Sequence, residues 1–170
     1  MPGKLIFISH SSKDAWIVSP FIEKILNLGL GISRTKIFYT SEKDTGIKSG
    51  ADFKKVILKN LVGAKAVIQI ISDNYKQSEV CLNEMGAAWV LSNNVIPFIV
   101  PNVRFDTVGF IHNTTQLLQL NNEADLFKFQ DDHGELRGTT GKINQANYHK
   151  QVKDFLETIQ RGQYGFRGWQ

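Results

Sequence analysis

Ala66-Val67-Ile68-Gln69-Ile70-Ile71, then Ser72-Asp73-Asn74, then Ser78-Glu79-Val80-Cys81-Leu82-Asn83-Glu84-Met85-Gly86-Ala87-Ala88-Trp89, is the stretch from which the fold is read. The first block is a short apolar run of strand length, and the second is a cluster of turn residues. The third opens on a helix-capping serine and predicts a helix from about Glu79 to Ser92. At helical spacing Val80, Glu84, Ala87, Ala88 and Leu91 share one face, so an acid sits in a stripe otherwise fit for burial. Either Glu84 lies at the edge of that stripe and reaches water or a lysine, or the helix start lines a cleft at the carboxyl ends of parallel strands. Gly86, Ala87 and Ala88 read as small residues that let the helix lie close to a sheet, despite the helix penalty of glycine.

Upstream, Lys4–Ser9 and Lys36–Thr40 read as strands, the second rich in aromatic and β-branched residues. His10 to Asp14 is a loop turning into a helix, with Ser11 and Asp14 at capping-box-like spacing. Trp16, Ile17, Phe21, Ile25 and Leu28 mark the apolar face of that helix, and Gly29-Leu30-Gly31 stops it. These glycines follow a helix rather than a strand, so they are not a dinucleotide fingerprint. The polar, glycine-punctuated loop Ser41–Gly50 has a length usually kept for binding or gating. Asp52–Leu61 follows as an amphipathic helix with Phe53, Val56, Ile57 and Leu61 inward.

Downstream, Val95–Pro101 is a fourth strand whose Pro97 marks an edge position or a later start. Gln116–Leu120 is a fifth strand, Glu123–Phe129 a short helix and Asp131–Asn147 a mobile polar loop. Tyr148–Gln160 is a last helix with Val152, Phe155, Leu156 and Ile159 apolar. Residues 1–160 therefore read as one domain, and 161–170, which has neither helical nor strand period, as a flexible tail or a linker to an absent domain. Strands alternating with helices at this spacing mean an α/β fold, with a parallel sheet flanked by helices on both faces. Ligands of such sheets bind at the carboxyl edge. That edge gathers Ser9–Asp14, Ser41–Gly50, Ser72–Asn74 and the start of the Glu84 helix.

With 170 residues, 42% hydrophobic and 21% charged, the chain has apolar material for one core. No apolar run reaches membrane-span length, and the Met-Pro-Gly-Lys start has no signal-peptide pattern. The single cysteine, Cys81, excludes an internal disulfide framework and fits a reducing compartment, so the expected location is cytoplasmic. A formal charge of +4 is too mild to demand nucleic acid. Its distribution is uneven: bases dominate from Lys24 to Lys65, whereas Glu123 to Glu135 is acidic. Solvated helix faces account for most of this; opposed patches would also let copies stack head to tail or attract an anionic ligand.

His10, His112, His133 and His149 are scattered, so Cys81 has no histidine partner in sequence and reads as a small packing residue. No Cys/His cluster has metal-ligand spacing and there is no Walker loop. Asp73 ends the third strand as the acceptor of a phosphorylated receiver domain would, but the acids such a domain needs after the first strand are replaced by Ser9 to Lys13. One acid in a cleft is too few for an ordinary O-glycoside, whose leaving oxygen must be protonated. Release of nicotinamide from NAD+ has no such need, because the cationic pyridinium departs neutral.

Phe7-Ile8-Ser9-His10-Ser11 followed by Asp14, the strand and long loop from Ile37 to Gly50, and Ser78, Cys81 and Glu84 at three-residue steps resemble the signature boxes of a Toll/interleukin receptor (TIR) domain, most of all its bacterial branch. The resemblance covers roughly Lys4 to Leu120. It implies a three-layer, five-stranded parallel sheet in a flavodoxin-like arrangement. It further implies NAD+ as substrate without a cofactor or metal, Glu84 as the catalytic residue, and Ser9, His10, Ser11, Asp14, Ser41, Lys43, Ser78 and Cys81 as substrate-binding. The loop Ser41–Gly50 corresponds to the family's BB loop, which implies self-association into a head-to-tail oligomer or filament. Neither nucleic acid nor membrane is expected as a partner. Many enzymatic members carry an aromatic residue four positions before the glutamate, where this chain has Val80. Bacterial relatives often act in antiphage defence fused to a sensor. The alternative implied by the same resemblance is a non-catalytic assembly module in which Glu84 is an ordinary helix acid.

Overall fold

The computed structural model describes residues 5–39, 53–91, 94–104, 116–138 and 141–166. Apolar runs form β1 (Ile6–Ser9), β2 (Ile37–Tyr39), β3 (Ala66–Ile71), β4 (Asn94–Ile99) and β5 (Leu118–Gln119). All neighbouring pairs are parallel, in the order β2-β1-β3-β4-β5. This is the flavodoxin-like order, with the chain reversing direction across the sheet beside β1.

The described helices are α1 (Ala15–Pro20), α2 (Phe53–Gly63), the single turn α3 (Asp73–Lys76), α4 (Glu79–Val90), α5 (Glu123–His133) and α6 (Gln145–Phe166). Pro20 has no N–H to give, and beyond it the helix continues over Phe21–Gly29 with wider, π-type winding, in which the Leu30 N–H reaches the Ile25 carbonyl at 2.9 Å. Gly31, at φ 73°, takes the left-handed turn that ends this segment.

Alternation along the strands sorts the core into two layers. Ile6, Ile8, Ile68, Ile70, Ile96 and Phe98 pack with α1, its π-wound continuation, α5 and α6. Phe21, Phe98 and Phe129 meet there, with ring centroids 5.2 Å apart between Phe21 and Phe98 and 5.3 Å between Phe98 and Phe129. Phe7 and Val67 face the other way, onto Ile57 and Leu61 of α2 and Ala88 of α4. At the carboxyl end of that second face Ile71 and Ile99 pack with Tyr75 and Cys81. Ser9 follows Phe7 by two residues, so it shares the α2–α4 face.

Pro97 lies inside β4, which is not an edge strand. The β5 pairing covers only Phe98 and Ile99, so on that side the strand is locally an edge at Pro97 and no ladder bond is lost.

Several boundaries differ from the sequence reading. Ser72-Asp73-Asn74 is not an open turn: Ser72 caps α3 by accepting the Tyr75 N–H at 2.9 Å. The helix begun at Glu123 runs on to His133 and is followed by a 3-10 turn, Gly134–Arg137, that buries Leu136, so part of the expected polar loop belongs to the core. The last helix spans Gln145–Phe166 rather than ending at Gln160. In that added stretch α6 passes close to α1, where a Cβ at Gly162 would come within 3.2 Å of the Trp16 ring. Leu28, expected inward, is exposed. A methyl group at Gly86 would meet nothing within 4 Å among the described residues, so close approach to the sheet rests on Ala88.

Candidate functional site

Burial on α4 is narrower than the sequence stripe. Cys81, Glu84 and Ala88 are its buried residues, whereas Val80 and Leu91 stand exposed. Glu84 is therefore not an edge acid reaching solvent: it is 4% exposed. Its helix is fixed at the start by Ser78, whose hydroxyl accepts the Cys81 N–H at 3.3 Å, as a capping serine should.

The face shared by Ser9 and α4 brings two distant residues together. The Ser9 hydroxyl donates to Glu84 Oε2 at 2.5 Å, and the Tyr75 hydroxyl lies 3.1 Å from the same Ser9 oxygen. Glu84 Oε1 is buried and has no hydrogen-bond partner among the described residues. Burial pushes the Glu84 carboxyl up to about 7, against the opposing pull of the Ser9 hydrogen bond. Glu84 also lines a groove of about 420 Å³ between α2 and α4, together with Ile57, Leu58, Leu61, Val80, Asn83 and Ala87. Apart from Glu84, Asn83 is the one polar residue on that wall among the described residues.

A second polar cluster lies at the neighbouring strand ends. Asp14 is buried and accepts from the Ser72 hydroxyl on one carboxylate oxygen and from Asn74 Nδ2, at 2.7 Å, on the other. Ser11 precedes the 3-10 turn Ser12–Asp14 but makes no side-chain cap, so the capping box suggested by the spacing is absent. The Asp14 carboxylate has instead turned inward, where Ser72 and Asn74 satisfy it.

His10 ends the run after β1. It is buried, its Nδ1 is 3.5 Å from the Ile8 carbonyl and its ring centroid is 6.2 Å from that of Tyr39. Burial lowers its pKa, so the imidazole is neutral at pH 7. The Cys81 thiol is closed off among Ile71, Tyr75 and Ile99, and burial pushes it up to about 11, which suits a packing residue rather than a nucleophile. Ser41 and Lys43 lie outside the described residues.

Residues 6–136 match the family profile of the TIR domain. The chain belongs to the TIR family. A curated relative, the uncharacterized protein YddK of Bacillus subtilis (strain 168), is 39% identical over 128 residues, which cover 75% of this chain and 47% of the relative. The chain thus spans about half the length of the curated relative it matches. Among solved structures, the TIR domain of the Toll-related receptor TRR-2 from Hydra magnipapillata aligns at a TM-score of 0.55 and 16% identity, over 78% of this chain and 97% of that one. The TIR domains of the activated Roq1 resistosome align at 0.48 and 15% identity, over 91% of this chain and 84% of that one.

Within the TIR fold of this chain, Ser9 and Glu84 are brought into contact, Asp14 forms a separate cluster, and His10 and Ser11 are buried between the two along the chain. Tyr75 was missed by sequence reasoning, whereas Ser72 was placed at the carboxyl edge, but only as a turn residue. Tyr75 stands in a polar turn, Asp73-Asn74-Tyr75-Lys76, and reads as surface; the one usable signal was the Ser72-x-x-Tyr75 spacing of a helix cap. No helix among the described residues is long and apolar enough to cross a membrane.

Proposed function

We propose that this TIR domain cleaves the bond between nicotinamide and ribose in NAD+, with Glu84 as its single carboxylate. The observation that carries this reading is a buried carboxylate lining an apolar groove, one oxygen held by Ser9 and the other without a partner. The bond from ribose C1′ to the pyridinium nitrogen breaks with its electron pair going to nitrogen, so nicotinamide leaves neutral and no general acid is required. Positive charge develops on the ribose, and ionised Glu84 opposes it in surroundings of low polarity, where such attraction is strong. Water then adds at C1′ and loses a proton, giving ADP-ribose; an adenine nitrogen in place of water gives a cyclised product. The groove, lined by Ile57, Leu61, Val80 and Ala87, suits the flat nicotinamide ring.

Nicotinamide release from NAD+ by the purified chain tests the reading. Glu84→Gln is expected to lower it by about a hundredfold or more, as loss of a charge-stabilising group commonly does. Undiminished release by that variant overturns the role of Glu84. No release at any protein concentration overturns the enzymatic reading in favour of an assembly module.

A second reading, self-association, has its own support in exposed apolar side chains on α2 and α4: Leu58 is 55% exposed, Trp89 60% and Val90 73%. Head-to-tail stacking, with the loop Ser41–Gly50 taking part, would make activity per mole rise with concentration. Flat specific activity, with monomers alone by light scattering, removes it. A cytoplasmic setting in bacterial antiphage defence rests on the family resemblance.

A further inference from the structure

We infer that Tyr75 is a positioning residue for Glu84, acting through Ser9: its phenol holds the Ser9 hydroxyl so that the one Ser9 proton goes to Glu84 Oε2 and Oε1 is left to carry any proton that Glu84 takes up. The inference rests on the proposed role of Glu84, but the geometry behind it is separate.

A serine hydroxyl has one proton and two lone pairs. The Ser9 proton is directed to Glu84 Oε2 at 2.5 Å, in the range of a hydrogen bond to an ionised acceptor. The 3.1 Å contact between Ser9 and Tyr75 can then be closed only by the Tyr75 proton. Burial raises the Tyr75 phenol above its ordinary value, so it keeps that proton and stays a donor at any ordinary pH. Donation from Tyr75 polarises the Ser9 hydroxyl and strengthens its own donation to Glu84. The chain of bonds also fixes Oε2 as an acceptor, so a proton taken up by Glu84 resides on Oε1, the oxygen without a partner.

Tyr75 is held firmly enough for this task. It is 1% exposed, packs with Ile71, Cys81 and Ile99, and has its N–H tied to Ser72. β1 and the neighbouring helices α3 and α4, 66 and 75 residues further along at Tyr75 and Glu84, thus meet at one oxygen. The titratable groups around Glu84 among the described residues are Tyr75 on α3 and Cys81 on α4, both neutral, with Asp14 beyond Cys81 and His10 beyond Asp14; α2 contributes the apolar Ile57, Leu58 and Leu61.

The test is a carbon-13 titration of the Glu84 carboxyl in the full chain, assigned with Glu84→Gln, beside the pH profile of nicotinamide release. Tyr75→Phe keeps the ring and removes the donor. It is expected to move the Glu84 midpoint upward by about half a pH unit or more, and Ser9→Ala to move it further. Release by Tyr75→Phe should then fall several-fold at pH 6 and much less at pH 8.5, with the change in kcat rather than KM. An unchanged midpoint, or a loss of activity equal at all pH values, overturns the inference and leaves Tyr75 a packing residue. If Tyr75→Phe does not fold, fluorotyrosine incorporated at all four tyrosines supplies the opposite perturbation. Its stronger phenol donor must move the midpoint downward, and no movement overturns the inference. Should the wild-type chain release no nicotinamide, the NAD+ reading fails while the titration still decides the role of Tyr75.

Discussion

Among the described residues two carboxylates are buried at the carboxyl edge of this sheet, and they are satisfied very differently. Asp14, 3% exposed, has a hydrogen bond on each oxygen, from Ser72 and from Asn74. Glu84, 4% exposed, has a bond on one oxygen, from Ser9, and its other oxygen has none among the described residues. A buried carboxylate with both oxygens bonded is a structural fastener; here it ties the turn after β1 to the end of β3. One left half-bonded costs stability, and a groove beside it gives that cost a use. The two clusters are also joined. Ser72 donates to Asp14 and accepts from the Tyr75 N–H, so the satisfied acid helps hold the tyrosine that orders the unsatisfied one.

The sharpest way to break this contrast is to remove each acid in turn. Glu84→Gln keeps size and shape and should cost activity, about a hundredfold or more in nicotinamide release, with no loss of folding. Asp14→Ala should do the reverse. It strands Ser72 and Asn74 and is expected to cost about 2–4 kcal/mol of stability, measured by urea unfolding. Any fall in its activity should follow from that loosening. If Asp14→Ala is as stable as the wild type, or Glu84→Gln unfolds, the division into fastener and working acid is wrong.

Smaller is the effect of Glu84 on stability against pH. Burial pushes Glu84 up to about 7 in the folded chain, above its ordinary carboxylate range. Between that range and pH 7 the folded chain holds a proton that the unfolded chain has released, so the contribution of Glu84 to stability falls as pH rises through this window. Glu84→Gln removes the penalty. At pH 8 it should be more stable than the wild type by about 1–2 kcal/mol, and the gain should vanish near pH 4. A thermal melt at both pH values checks the pair. A variant less stable than the wild type at pH 8 would mean that the Ser9 bond outweighs burial.

Local pattern carried the fold but only half of the site. Ala66–Ile71 and Ile37–Tyr39 are strands because their apolar and β-branched runs are short and bounded by polar residues, information that lies within the segment itself. Ser78 was legible as a cap and Glu84 as an acid out of place for the same reason. Tyr75 was not legible, because the residues that bury it, Ile71, Cys81 and Ile99, and the Ser9 hydroxyl 66 residues away come together with it only in the fold. The same limit hid the end of α6: Gly162 looks like a helix breaker in isolation and is a helix-packing residue only in the presence of Trp16. Val80 shows the converse error, since a helical stripe gives direction but not the distance to a neighbour, and α2 stands far enough off to leave a groove.

The smallest expected effect asks whether the half-bonded state of Glu84 belongs to the sheet contact or to slack in its helix. Gly86 lies two residues beyond Glu84 inside α4, and a methyl group there meets nothing within 4 Å. Gly86→Ala should therefore stabilise the chain by about 0.5–1 kcal/mol through helix propensity alone. If Ser9 fixes Glu84 from β1, as the 2.5 Å bond indicates, stiffening the helix leaves both the Glu84 titration and nicotinamide release unchanged. A gain in melting temperature accompanied by a loss of release would place part of the working state in the flexibility of α4. The contrast with Asp14 would then be one of mobility as well as of hydrogen bonding.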